Sequence, residues 1–158
     1  MSRVLVTGAD GFIGNKVAFC FGERGYEVIG WDRQEKQDPV QIKNLDMSCT
    51  PKIEDGLLDA KPDIIIHCAG NADVGKSVQC PEMDFCGNVV ITRNLLFALH
   101  KLQMDNTRVV FLSSAGVYGN PNELPIAEDA ERNPLSPYAV HKVMCEDLCT
   151  YFVKNYGM

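Results

Sequence analysis

Apolar positions in this chain follow two rhythms. One is the short continuous run, as in Val4-Leu5-Val6 and Ile64-Ile65-Ile66, and the other is recurrence every three or four residues. The runs predict strands over Arg3–Thr7, Glu27–Trp31, Asp63–Cys68 and Arg108–Ser113, with a weaker one near Gln41–Leu45. Between them the spacing is helical. Gly11–Arg24 carries Ile13, Val17 and Phe21 four apart, and Thr50-Pro51 opens a short helix. A long helix is predicted from Pro81 to Met104, with Phe85, Val89, Leu96 and Leu99 on one face, and a last one starts near Ser136-Pro137. Runs as continuous as Ile64–Ile66 belong in a sheet covered on both faces, so the alternation predicts an α/β protein with a doubly wound parallel sheet. The polar stretch Arg33–Pro39 and the Pro-, Asn- and acid-rich stretch Gly119–Pro137 read as surface loops. No internal repeat or low-complexity segment interrupts the pattern.

The first strand breaks into glycines three apart, Gly8, Gly11 and Gly14. After a strand and before a helix, that spacing suits a dinucleotide site. Gly8 permits the tight turn, Gly11 lets backbone N–H groups approach a pyrophosphate, and Gly14 lets the helix press on the strand. A Gly-x-x-x-x-Gly-Lys-Ser/Thr phosphate loop is excluded, because Asn15-Lys16-Val17 follows Gly14. Asp32 closes the second strand, where an acid can bond the ribose hydroxyls of NAD and would repel the extra phosphate of NADP. Two alternatives stay open from these residues alone: Arg33 serving a phosphate, and Asp32 as a solvated strand-end residue. The Gly run and Asp32 make the sheet Rossmann-like.

Composition narrows the function class. At 158 residues and 46% hydrophobic, the chain can bury one sizeable core, so one domain over 1–158 is expected. A net charge of -6 argues against nucleic acid as a partner and suits a small-molecule substrate. Seven cysteines without a Cys-x-x-Cys pair suggest neither a disulfide framework nor a zinc site, and free thiols fit a reducing cytoplasm. Cys145 and Cys149, four apart on the last helix, read as small helix residues, with a thiol pair as the alternative. No apolar run is long enough for a membrane span and no signal-peptide pattern opens the chain, so a cytoplasmic location is expected.

A further constellation stands at the head of the last helix. Tyr138 and Lys142 are four residues apart and so share a face. An ammonium beside a phenol stabilises the phenolate, which can then take a proton from an alcohol. By itself Tyr-x-x-x-Lys also suits a surface cation-π pair. Its place after a strand ending Ser113-Ser114 favours chemistry, since parallel sheets bind ligands at their carboxyl ends.

With these motifs the chain resembles the amino-terminal part of an extended short-chain dehydrogenase/reductase, the NAD-dependent epimerase/dehydratase family, which acts mostly on nucleotide sugars. The resemblance is carried by Thr7–Gly14, Asp32, Leu45-Asp46-Met47, His67-Cys68-Ala69-Gly70, Val74–Ser77, Asn88, Ser113–Gly119 and Pro134–Tyr138 with Lys142. It implies that Gly8, Gly11, Phe12, Ile13 and Gly14 wrap the pyrophosphate of NAD and Asp32 holds the adenosine ribose. Asp46 and Met47 would border the adenine, and Ala69 and Gly70 would line the cofactor. Lys142 would hold the nicotinamide ribose and assist Tyr138, the acid/base. Ser114 would bond the reacting oxygen, with Ser113 supporting the strand end or the nicotinamide. Asn88 is either a cofactor residue or a helix asparagine bonded to a backbone carbonyl.

The implied chemistry is hydride transfer at a sugar carbinol, reversed on the other face in an epimerase. Ala115 and Gly116 stand where the family's dehydratases carry an acid/base pair, which disfavours a 4,6-dehydratase and leaves epimerase, decarboxylase or reductase. A reductase of a non-sugar carbonyl and a non-catalytic NAD-binding module are the other readings. Family members continue with further strands and a substrate lobe, so a fragment is expected, with self-association through the bare edge of the fifth strand.

Overall fold

The computed structural model describes residues 2–35 and 40–158. The central strand, β1 (Arg3–Thr7), has the strongest apolar run, and its Val4, Leu5 and Val6 are wholly buried. It is flanked by β2 (Glu27–Asp32) and β4 (Ile64–His67). Short β3 (Ile42–Asn44) and β5 (Arg108–Phe111) complete a five-stranded parallel sheet of order β3-β2-β1-β4-β5. Register sets Thr7 beside Trp31 on one side and His67 on the other, so three strand ends open at one level.

Alternation along β1 builds a core on each face. Leu5 faces Trp31, Ile65 and the apolar stripes of α2 (Thr50–Ala60) and α5 (Ile91–Lys101), where Ile53, Leu57, Leu95 and Leu99 are buried. Val4 and Val6 face Ala18 of α1 (Phe12–Glu23) and Ile42. Each fully buried Val, Leu or Ile here contributes about 1.5–3 kcal/mol by leaving water. Helix α1 packs Val17 and Phe21 of its predicted Ile13-Val17-Phe21 stripe against this core, both partly buried. Its buried residues are Gly14 and Ala18, while Ile13 lies exposed at the glycine turn.

The predicted long helix Pro81–Met104 runs unbroken from Pro81 and stops at Lys101, with three successive stretches. These are α4 (Pro81–Phe85), a π-helical turn Cys86–Val90, and α5. Phe85 correspondingly leaves the buried stripe that holds Val89, Leu96 and Leu99. A polar segment also forms helix α3 (Val74–Gln79), capped by the Asp73 carboxylate accepting from Lys76 N–H. The last helix, α6 (Pro137–Tyr156), starts at Ser136, whose hydroxyl accepts from Ala139 N–H, and ends at Gly157 with φ 69°. Between β5 and α6 lies a 3-10 turn, Ala115–Tyr118, followed by the irregular loop expected from composition. Of the predicted loop Arg33–Pro39, residues 36–39 lie outside the described residues. No helix among the described residues is long and apolar enough to cross a membrane.

Candidate functional site

A cleft of about 600 Å³ opens at the carboxyl ends of β1, β2 and β4. Gly8, Gly11, Asp32, Asp46, Met47, Ala69 and Gly70, all predicted from the sequence, line it. Glycine is needed at its floor for steric reasons. Gly8 has φ 68°, and a Cβ there would stand 2.7 Å from Ala69 N. A Cβ on Gly14 would overlap the Gly8 carbonyl oxygen, so α1 meets the turn backbone to backbone. The first ladder bond of α1 runs from Asn15 N–H to the Gly11 carbonyl at 2.9 Å. The N–H groups of Phe12, Ile13 and Gly14 precede it, and the N-cap Gly11 offers them no side chain. Such a turn favours anions. Phe12 is 89% exposed beside it.

Asp32 is held in place by its neighbours. Its carboxylate accepts Asp10 N–H at 2.9 Å and Arg33 N–H at 2.7 Å, which turns it toward the glycine bend. Across the cleft Asp46 accepts Ser48 N–H at 2.9 Å, and the Ser48 backbone and hydroxyl hold its carboxyl below the usual range. Asn94 of α5 donates to the carbonyls of Met47 and Ser48 at 3.1 and 3.2 Å, fixing that wall.

Gly70 joins this cleft to the second group of predicted residues. A Cβ on Gly70 would lie 2.6 Å from Asn88 Oδ1 and 3.5 Å from Lys142 Nζ. Asn88 is buried in the π turn; its amide donates to the Asp84 carbonyl at 3.1 Å, and Oδ1 has no partner among the described residues. The Lys142 ammonium donates to the Leu112 carbonyl at 3.1 Å and stands 5.8 Å from the Tyr138 ring centroid. Burial lowers the lysine's pKa, opposed by Cys145, Asp84 and Cys68. Tyr138 N–H donates to the buried Ser77 hydroxyl at 3.2 Å, which in turn donates to the Val74 carbonyl at 2.7 Å. That pins the start of α6 onto α3.

The two strand-end serines diverge. Ser114 accepts Gly116 N–H at 3.1 Å and caps the 3-10 turn, which packs on Ala139 beside Tyr138. Ser113 instead donates to Glu146 at 2.5 Å, and Glu146 also pairs with Arg132. Ser113 is thus engaged with α6 and the long loop.

Several cleft residues carried no sequence signal. Trp31, Cys86, Gly87 and Ile91 line the cleft as well, and Gly87 lies so near Asn71 that a Cβ there would overlap its amide.

Comparison with known proteins gives a consistent result. Residues 4–158 match the profile of the NAD dependent epimerase/dehydratase family. The UDP-glucose 4-epimerase of Halalkalibacterium halodurans is 32% identical over 98% of this chain and 47% of its own length. Among solved structures, UDP-glucose 4-epimerase from Brucella ovis in complex with NAD superposes with a TM-score of 0.93 at 29% identity, over 100% of this chain and 50% of that one. The Thermus thermophilus UDP-glucose 4-epimerase complex with NAD gives 0.90 at 30% identity, over 99% and 52%. The chain spans about half the length of the curated relatives it matches.

Proposed function

The chain belongs to the NAD dependent epimerase/dehydratase family, and from that premise we propose that it forms the cofactor-binding half of an NAD-dependent nucleotide-sugar epimerase. The observation that carries this reading is the junction at Gly70, where Lys142 and Asn88 meet the floor of the glycine cleft. A dinucleotide laid over Gly8 and Gly11 with its ribose at Asp32 would extend toward that junction.

The residues present fit NAD. The glycine turn has no Cβ to obstruct a pyrophosphate, and the first N–H groups of α1 supply donors. Asp32 offers acceptors to ribose hydroxyls and a negative charge against an added phosphate. When bound, the nicotinamide supplies the hydride acceptor and donor. Tyr138, stabilised as the phenolate by the Lys142 ammonium, takes the proton from the sugar hydroxyl and becomes the neutral phenol as the hydride leaves. The Ser114 hydroxyl orients the reacting oxygen. Ala115 and Gly116, exposed in the 3-10 turn, provide no acid/base pair for elimination, which supports epimerisation over dehydration. The relatives named above are UDP-glucose 4-epimerases, which points to a uridine-linked hexose as the substrate class.

Titration calorimetry of NAD and NADP on this chain tests the cofactor assignment. Tighter binding of NAD is expected, and equal or tighter binding of NADP overturns it. For the reaction, redox-neutral conversion of a nucleotide sugar is expected, whereas net consumption of NADH with a ketone overturns the epimerase reading.

A further inference from the structure

Asp84 and His141 are buried side chains that the chemistry above does not use. Asp84 lies in α4 and is 3% exposed; its Oδ2 lies 2.6 Å from Nδ1 of His141, which precedes Lys142 on α6. The other oxygen, Oδ1, is buried with no partner among the described residues. The Phe85 ring meets the His141 imidazole edge-on at 5.4 Å. A carboxylate in such a place is costly unless something offsets its charge. Its direct partner is the His141 imidazole, and Lys142 follows at the next position of the same helix, where the Asp84 charge favours the protonated amine.

The groups facing Lys142 from each packed element leave Asp84 as its anion. On its own helix stand Tyr138 and Cys145, at the end of β4 stand His67 and Cys68, and on α4 stands Asp84. Burial raises the pKa of both Cys145 and Cys68, so these thiols are neutral near pH 7. His67 is neutral too, its pKa pushed down to about 3 by burial and by the Lys142 charge.

We propose that Asp84 and His141 act as a positioning pair for Lys142, the carboxylate serving as its counter-charge and the imidazole holding that carboxylate between α4 and α6. The pair clamps two helices. Asn88 lies one turn beyond Asp84 and Lys142 directly follows His141, so the clamp fixes where both meet Gly70. Its functional meaning rests on the cofactor reading above; its electrostatics do not.

Competitive acetylation of lysine amines with trace acetic anhydride at pH 8, read peptide by peptide against exposed Lys76, measures the charge on Lys142 directly. Asp84→Asn removes the anion with little change of shape. Lys142 is then expected to react about 3- to 10-fold faster, since less of it is protonated. His141→Gln shifts reactivity in the same direction, and the double variant does not exceed the larger single effect. Both single variants weaken NAD binding in calorimetry. Lys142 reactivity within about twofold of the unmutated chain, in Asp84→Asn protein that melts cooperatively, overturns the proposal. Should Asp84→Asn fail to fold, His141→Gln is judged by the same criterion. Raised reactivity in a chain that binds no NAD supports the electrostatic pair and removes the cofactor reading instead.

Discussion

Nε2 of His67 lies 3.1 Å from the hydroxyl of Thr92, and this bond fixes the imidazole tautomer. Thr92 donates its own proton to the Asn88 carbonyl at 2.7 Å, so it accepts from His67 Nε2–H. Nδ1 is therefore the acceptor for Thr7, 2.6 Å away, and the Thr7 oxygen in turn accepts Ala69 N–H at 3.2 Å. One relay thus links the ends of β1 and β4 to the π turn that carries Asn88. Every member is satisfied only while the imidazole is neutral.

That neutrality sets a pH dependence. In the folded chain burial, with the Lys142 charge, pushes His67 down to about 3, against 6.5 when unfolded. The unfolded chain binds the extra proton between those values. Stability is therefore complete above the unfolded value and drains as pH falls from there toward the folded one, by up to about 1.4 kcal/mol per pH unit. Urea unfolding between pH 7 and 5 should show this slope, and His67→Gln should flatten it by nearly one proton. An unchanged slope in the variant counts against the buried neutral imidazole.

Two glycines of α1 should respond oppositely to alanine. At Gly14 the new Cβ overlaps the Gly8 carbonyl, whereas at Gly22 it meets nothing within 4 Å. Gly14→Ala is expected to cost about 1–3 kcal/mol and to abolish NAD binding, because the turn must move. Gly22→Ala should stabilise by about 0.5–1 kcal/mol with NAD affinity unchanged. Thermal unfolding and calorimetry on the pair separate close approach from ordinary helix propensity.

Backbone constraint was legible in the sequence, whereas cross-chain polar contact was not. The run Val4–Val6 marked β1 because a central strand must be apolar on both faces, and Gly8, Gly11 and Asp32 were readable because their spacing follows the turn they build. The π turn within Pro81–Lys101 left no such trace. There Gly87 closes against Asn71 and Asn88 turns its amide back to the Asp84 carbonyl, contacts that periodicity does not encode. Thr7, His67 and Thr92 span three elements, and Asp84 meets His141 57 residues away. His67 read as part of a strand and of the His67-Cys68-Ala69-Gly70 motif, with nothing to mark it as a buried relay. Helix α3 was missed because Val74-Gly75-Lys76-Ser77 has no apolar stripe; its start is set by the Asp73 cap and its place by Ser77.

Removing the Asp32 carboxylate should alter cofactor choice. It is oriented by two backbone N–H groups, and bonds from ligand hydroxyls to a carboxylate contribute about 1.5–3 kcal/mol. Asp32→Ala is expected to weaken NAD about 10- to 100-fold while leaving NADP within a few-fold, since its phosphate loses a repelling neighbour. Calorimetry of both cofactors on both proteins checks this. An unchanged NAD affinity would return Asp32 to the role of a solvated strand end.

The outer edge of β5 predicts association. Among the described residues β5 pairs with β4 on one side only, and Val110, in register with Ile66, is 45% exposed. An apolar side chain on an edge with free backbone donors and acceptors is a template for another strand. Sedimentation of this chain should show a mass that rises with concentration. Val110→Lys, which places a charge on that edge at little cost to a half-exposed position, should keep it monomeric. A mass that stays monomeric without the substitution would show that the edge pairs with nothing, and a Lys variant that still associates would move the contact to another surface.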